Sequence, residues 1–561
     1  SVQDNFNIDW RIIPALRLQG RFSYTRQFDR RDLFKSPESL DYSTETDPKK
    51  KGSYYLVNSR SDRFDGNLTL AYNKTIDKHM LNVGVGSNIM QSETEGESFT
   101  GVGFINPDMI FIGAANAFQE NTSPQGTYDK SRLVGFFTNV NYGYGNRYFL
   151  DFSFRSDGSS KFGRNSRFAP FWSLGVAWNV HNESFWHAHE KNALKLRASV
   201  GSTGTTNFSS TQALTTYLYD FSREYNGNFG VSLAGYGNSS LKWQTTLSYN
   251  VGVDFTFLHG LVVFNGDFYI KNTRSLLLPV TVAPSTGFID YVENIGKLRN
   301  TGVEARLRFN LIQDAVKDLR WNVTLSAFHN RSKITQLSNQ LETINQYAND
   351  DRANQGTVVY RQFEAGRSQT ALMVVRSGGI DPATGNEIYI KRNGEMTFEY
   401  NHNDKIECGD MKPKIEGNVN TNLNWKGFNL YMLFKYQYGG KIYNATLASK
   451  VEGVNPLKNA DKRVLYDRWK EPGDHAKFRR IDDTSAPYQT TRLVFDNNLL
   501  ALQSVSLSYE LPRKISQKMY MERVKLLLSS TDLFRLSSVK QERGTSYPFA
   551  RTFSIGLNVT F

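Results

Sequence analysis

The stretch that decides the fold is TFSIGLNVTF, residues 552–561. Successive side chains of an extended chain point to opposite faces. Phe553, Ile555, Leu557, Val559 and Phe561 therefore share one face, and Thr552, Ser554, Gly556, Asn558 and Thr560 share the other. The pattern recurs upstream. Leu247, Tyr249, Val251, Val253, Phe255 and Phe257 alternate with Ser248, Asn250, Gly252, Asp254 and Thr256, and Tyr148, Leu150, Phe152 and Phe154 alternate with Asp151, Ser153, Arg155 and Asp157. In each case one face suits hydrocarbon and the other suits water.

About seventeen such segments can be read, near residues 4–11, 15–27, 63–73, 78–90, 131–143, 147–157, 169–181, 193–204, 244–257, 261–274, 300–310, 320–333, 414–425, 428–439, 497–510, 521–532 and 551–561. Most have the length a tilted strand needs to cross a bilayer, about 9–11 residues. The connections alternate between short ones, such as Asn73–Asp77, Tyr144–Asn146 and Trp425–Gly427, and long ones near 28–62, 91–130, 205–243, 334–413 and 440–496. Outer-membrane barrels pair short periplasmic turns with long extracellular loops, and a soluble sandwich has no reason to sort its loops by parity. The expected fold is therefore an all-β, transmembrane antiparallel β-barrel spanning residues 1–561 as a single domain. With Phe561 ending in the periplasm, the first segment would run inward. Bacterial barrels are usually even-numbered, so both this direction and the odd count predict further strands upstream. The start, Ser1-Val2-Gln3-Asp4, has neither the charged nor the apolar region of a signal peptide.

Composition agrees once two-faced strands are allowed for. Hydrophobic residues make up 39% of the chain and its mean hydropathy is -0.50, and no run of about 18 apolar residues offers a transmembrane helix. Averaging a lipid face with a watery face gives such values, and interfacial aromatic girdles account for 29 Tyr and 38 Phe. The single cysteine, Cys408, rules out an intrachain disulfide. A net charge of +13 fits either anionic partners or balance by segments elsewhere in a longer protein; no nucleic-acid motif accompanies it.

Several segments resemble the SusC/RagA family of TonB-dependent transporters of Bacteroidetes. NRYFLDFSFRSDGSSKFGRNSRFAPFWSLGVAWNV (146–180) is similar to its strand–DGSS–FG–strand signature, and NALKLRASVGSTG (192–204) to the strand that follows. NSSLKWQTTLSYNVGVDFTFLHG (238–260) resembles its N-x-x-L-K-W-E strand with Gln244 in place of Glu, and NIGKLRNTGVEARL (294–307) its N-x-G-x-x-x-N-x-G-x-E strand. Residues 409–444, 497–512 and 546–561 resemble later elements. The resemblance implies a parent barrel of about 22 strands, of which roughly the last seventeen are here, with the plug domain and TonB box outside this chain. It further implies an outer-membrane location, a SusD-like surface lipoprotein as lid, energy from the TonB complex through the N-terminal region, and an oligosaccharide or peptide as substrate. Outer-membrane lipid, including lipopolysaccharide, would surround the barrel.

Candidate sites follow. Phe561, ending an alternating strand, resembles the recognition signal for barrel assembly. Tyr217, Tyr219, Tyr225, Phe229 and Tyr236 could stack on sugar rings or peptide side chains from an extracellular loop. Arg155, Lys195, Arg197 and Lys435 fall on lumen-facing positions, where they could steer an anionic solute or pair with Asp151, Asp254 or plug residues. DGSSKFG (157–163) reads as a tight turn. His181, Glu183, His187, His189 and Glu190 carry ligand-type side chains but read as a solvated turn rather than a zinc site. Asp381-Pro382-Ala383-Thr384-Gly385-Asn386 reads as a loop turn. No cofactor is expected, and Ca²⁺ in extracellular loops or the partner is the one cation to consider. There is no nucleophile elbow, Walker loop or C-x-x-C, so no enzyme is expected.

The functional expectation is TonB-dependent import of an oligomeric nutrient. A passive porin or export barrel would lack a plug and TonB box in the full protein. A β-rich surface-binding protein would be water-soluble and show no apolar face.

Overall fold

The computed structural model describes the chain except residues 120–123, 164–165, 188–190, 207–211, 236, 282–289, 295, 338–363, 455–459, 484 and 541–550. Each of the seventeen alternating segments is a β-strand. The chain divides into two compact units: Ser1–Gly175 with Gly201–Thr245 and Leu277–Asn294, and Val176–Val200 with Thr246–Leu276 and Ile295–Phe561. In the first, strands Val2–Ile13, Leu16–Lys35, Ser53–Ile76, His79–Val102, Gln125–Tyr144 and Tyr148–Ser159 pair antiparallel in chain order. In the second, Val262–Arg274, Lys297–Asp314, Leu319–Gln336, Ile415–Trp425, Phe428–Tyr438, Leu499–Glu510, Arg523–Ser537 and Thr552–Thr560 do the same. Strand Gln244–Phe257 pairs with Ala193–Thr205.

Register turns the sequence alternation into two chemically distinct faces. One row of directly opposed residues reads Trp321, Leu423, Leu430, Leu507, Leu528 and Ile555. The neighbouring row, on the other face, reads Asn322, Asn422, Tyr431, Ser506, Ser529 and Ser554. The apolar row stays on the surface, with Leu507 39%, Leu528 49% and Ile555 81% exposed. Apolar side chains displayed on this scale mark a surface covered by something other than water, as a strand ladder in hydrocarbon requires.

Tight turns close one end of the hairpins. Lys426 and Gly427 both have positive φ, +46° and +85°, the condition a two-residue type I′ hairpin imposes. A Cβ on Gly427 would also lie 2.6 Å from the Glu510 carbonyl oxygen.

At the other end the strands outrun the sequence reading. Ser53–Ile76 and His79–Val102 each run 24 residues, so the connections expected at 28–62 and 91–130 shrink to 36–52 and 103–124. The ladder continues there, but its apolar face does not. Arg26 bonds Asp62 at 2.6 Å, Lys130 bonds Glu93 at 2.6 Å and Arg60 bonds Glu95 at 3.1 Å. With charge on that face, hydropathy alternation vanishes while backbone pairing persists.

The regions 334–413 and 440–496 depart further. Ala371–Ile380 lies at the centre of a four-stranded sheet with Lys405–Asp410 on one side and Glu387–Ile390, then Met396–Thr397, on the other. Lys441–Tyr443 pairs with Val494–Asp496. Ala371 through Val375 are no more than 5% exposed, and Leu372 packs with Tyr443, Ala448 and Leu493. A strand buried on both faces reads as a continuous apolar run, which a search for alternation passes over.

The two faces make an asymmetric prediction. Val251, 61% exposed on the apolar face, replaced by Arg should cost about 2–4 kcal/mol of folding into a bilayer, whereas Ser248→Arg on the polar face should cost far less. Urea titration of vesicle-inserted protein, read by heat-modifiable gel mobility, measures both; equal losses would remove the two-face assignment.

Candidate functional site

Charge is concentrated on the polar faces. In the second unit the Arg197 guanidinium donates to both carboxylate oxygens of Asp254, at 2.8 and 3.0 Å, and to Asp267 at 3.2 Å. Asn265 also donates to Asp254 at 2.8 Å. A Cβ on Gly252 would lie 2.5 Å from an Asp267 oxygen and 2.8 Å from the Arg197 guanidinium, so glycine makes room for the cluster. Lys195 adds positive charge near Asp254. Lys435 lies opposite Asn418 and Ala501 and makes no ion pair among the described residues. In the first unit Arg155 bonds Asp157 at 2.8 Å and also reaches Asn88, while Asp151 accepts from Asn141 at 2.6 Å. Of the two carboxylates named as possible partners of these cations, Asp254 is bonded by Arg197 and Asp151 by Asn141, while Arg155 bonds Asp157.

Of the aromatic residues proposed for ligand contact, Tyr217, Tyr219, Tyr225 and Phe229 fall on one hairpin, Thr216–Tyr225 with Asn228–Gly235, where Tyr217 opposes Leu233 and Tyr219 opposes Val231. Tyr217 is 64% exposed, and Tyr236 lies outside the described residues. Phe561 is 87% exposed after the strand Thr552–Thr560.

The DGSSKFG turn is a packing element. Phe162 stacks on Trp243 with centroids 4.5 Å apart, Phe171 meets Trp243 edge-on at 5.3 Å, and all three are buried. Trp243 Nε1 donates to the Arg167 carbonyl at 3.0 Å and the Gly163 N–H to the Leu241 carbonyl at 3.3 Å. The two sequence motifs are thus halves of one joint. In the 181–190 turn, His181 Nδ1 donates to the Leu194 carbonyl, His187 Nδ1 to the Phe185 carbonyl, and Glu183 accepts from Trp178; His189 and Glu190 lie outside the described residues. The Asp381 carboxylate accepts from the Thr384 hydroxyl at 2.6 Å and from the Ala383 and Thr384 N–H groups, which holds it below the usual carboxylate range.

The group that residue-by-residue reading missed lies in the loop sheet. Glu387 and Glu452 are 3% and 1% exposed. One guanidinium, Arg492, donates to Glu387 at 3.0 Å and to Glu452 at 2.8 Å. Arg479 bonds Glu452 at 2.8 Å and Asp483 at 2.6 Å, and the Thr490 hydroxyl donates to Glu387 at 2.6 Å. Burial opposes the Arg492 charge, but the two carboxylates outweigh it and hold the group above the usual arginine range. Arg468 donates to the carbonyls of Arg479 and Val451. Over this core sit three tyrosines. Tyr400 and Tyr488 stack at 4.1 Å and 9° between planes, and Tyr389 stands edge-on to both, at 5.5 and 6.1 Å. Tyr400 and Tyr488 are half-buried, and Phe398 beside them is 56% exposed. The arrangement sets a half-buried, stacked aromatic pair against a buried ionic core. Its segments meet from about a hundred residues apart, so no local spacing announces it; the apolar run Ala371–Val375 was the available signal.

Two outcomes follow. Arg492→Met leaves the buried Glu387 without a cation and Glu452 with Arg479 alone, and should destabilise the loop sheet by about 3–5 kcal/mol while leaving the main ladder heat-modifiable; amide exchange across Ala371–Val375 reports it. Lys405, 2% exposed, is pushed by burial from 10.5 down to about 8. Between those values the unfolded chain binds the additional proton, so protection of the same amides should rise as pH goes from about 8 to 10.5. In Lys405→Met that slope should disappear.

Comparison with known proteins accounts for the ladder. The family model for the TonB dependent receptor-like β-barrel matches residues 2–367, more than half of the chain. TonB-dependent receptor P3 of Formosa agariphila is 26% identical over 536 residues, covering 88% of this chain and 52% of that protein. TonB-dependent receptor SusC of Bacteroides thetaiotaomicron is 27% identical over 333 residues, covering 57% of this chain and 32% of its own length. Among solved structures, the RagAB peptide transporter superposes with a TM-score of 0.84 at 22% identity, over 100% of this chain and 62% of that one. The chain spans about half the length of the curated relatives it matches. It belongs to the TonB-dependent receptor-like β-barrel family of the bacterial outer membrane.

Proposed function

We propose that this chain is the wall and outer binding surface of an importer for an oligomeric nutrient, a peptide or an oligosaccharide. It works with a SusD-like surface lipoprotein and is energised through TonB by the rest of the protein. The observation that carries this reading is the loop sheet: a folded support on a buried ionic core, presenting the Tyr400–Tyr488 stack. A pore that only sieves solutes needs no such rigidly mounted rings, whereas a receptor benefits from contact groups fixed before the ligand arrives. Flat aromatic faces suit both candidate ligands, since sugar rings and peptide side chains pack against them. Tyr217 on its exposed hairpin is a second contact, Lys435 and Lys195 set the charge met further in, and Phe561 serves barrel assembly. The RagAB relative is described as a peptide transporter, which favours testing peptides first.

The test uses the whole protein co-purified with a SusD-like lipoprotein of the same organism. Defined peptide and oligosaccharide pools are titrated by calorimetry, and uptake is followed in cells with and without TonB. One pool should bind, Tyr400→Ala with Tyr488→Ala should weaken it roughly tenfold, and uptake should stop without TonB. Uptake that continues without TonB would favour the passive pore.

A further inference from the structure

The apolar face of the first unit ends abruptly. Gly66, Ile89 and Val134 lie directly opposite one another on three neighbouring strands, and one row nearer the long connections stand Phe64, Gln91 and Arg132. The next row is Asp62, Glu93 and Lys130. Chemistry thus passes from hydrocarbon-like to fully charged within two rows of one face. On that border lies an open groove of about 570 Å³. Phe64, Ile89, Val134 and Phe168 line its apolar side, and Gln91, Arg132 and Arg167 its polar side. Gly158 shapes it, because a Cβ there would lie 2.6 Å from the Phe168 ring. With glycine in place, the ring lies across the strand and remains 58% exposed.

The two arginines differ from their neighbours. Arg26 and Lys130, on the same face, are neutralised by Asp62 and Glu93, each at 2.6 Å. Arg132 uses its Nε to donate to the Gln91 side-chain oxygen at 2.9 Å and makes no ion pair among the described residues. The Arg167 carbonyl accepts from the Ser159 N–H and from Trp243, and its guanidinium likewise makes no ion pair among the described residues. Both side chains are exposed. Two guanidinium groups without carboxylates therefore stand at the edge of an apolar groove, and their fork geometry matches phosphate oxygens.

We propose that this groove binds a phosphate-bearing lipid of the outer leaflet, with headgroup phosphate on Arg132 and Arg167 and an acyl chain along Ile89, Val134 and Phe168. The apolar side argues for a lipid over a free anion, which would leave those side chains unmatched. The proposal rests on the outward face of the strands alone and stands whether or not the substrate reading holds.

The test uses the full-length protein in neutral detergent, by native mass spectrometry and equilibrium titration with three probes: diphosphorylated lipid A, the same glycolipid stripped of phosphate, and inorganic phosphate. Diphosphorylated lipid A should bind tightest to the wild type. R132Q/R167Q should weaken it by roughly tenfold or more, and R132K/R167K, which keeps the charge but loses the fork, should fall between the wild type and R132Q/R167Q. The phosphate-free glycolipid should bind all three proteins equally weakly, and inorganic phosphate should not compete. Heat-modifiable mobility verifies that each variant has folded. Undiminished binding of diphosphorylated lipid A by folded R132Q/R167Q overturns the site, and competition by inorganic phosphate at the lipid's own affinity would make it an anion site instead.

Discussion

Everything in this chain depends on one requirement: a backbone inside hydrocarbon must find all its hydrogen bonds within the protein. Strands meet it by pairing with their sequence neighbours, and pairing fixes register. Register then assigns every side chain to one of two faces. The row from Trp321 to Ile555 and the row from Asn322 to Ser554 are that assignment in one place. A slip of one residue would exchange the rows and put asparagine and serine into lipid, so each strand's alternation protects the alignment of its neighbours.

The same logic explains what could be read from sequence. Wherever a strand separates lipid from water, alternation is enforced, and segments such as 244–257 and 551–561 announce themselves. In the outer parts of Ser53–Ile76 and His79–Val102, Arg60, Asp62, Glu93 and Glu95 put charge on the face that is apolar further along, so the periodic signal ends although the ladder runs on unbroken. Ala371–Val375 is the opposite case, apolar on both faces because protein surrounds it. The ionic core was beyond reach for another reason. Glu387, Glu452 and Arg492 come from separate segments, and only the folded loop sheet brings them together. Motif resemblance pointed to family, yet the meaning of DGSSKFG and the L-K-W motif, a Phe162–Trp243 joint, appears only in three dimensions.

Buried ion pairs are a weak source of stability, because desolvation offsets much of the attraction. Their value here is geometric. Arg492 joins Glu387 to Glu452, and Arg479 joins Glu452 to Asp483, so sheet and returning segments can dock in few other ways. The polar face uses the same device at Arg197 with Asp254 and Asp267, where Gly252 leaves space for it.

The overlong strands have a consequence for survival outside the cell. A protease must draw an extended, unpaired stretch of backbone into its own cleft before it can cut. Residues such as Asn58, paired with Arg30 on one side and Glu97 on the other, have no free edge to surrender. With Cys408 as its sole cysteine, this chain cannot cross-link to itself as many exported domains do. Here the ladder itself serves as armour, leaving fewer residues between strands for an external protease to attack.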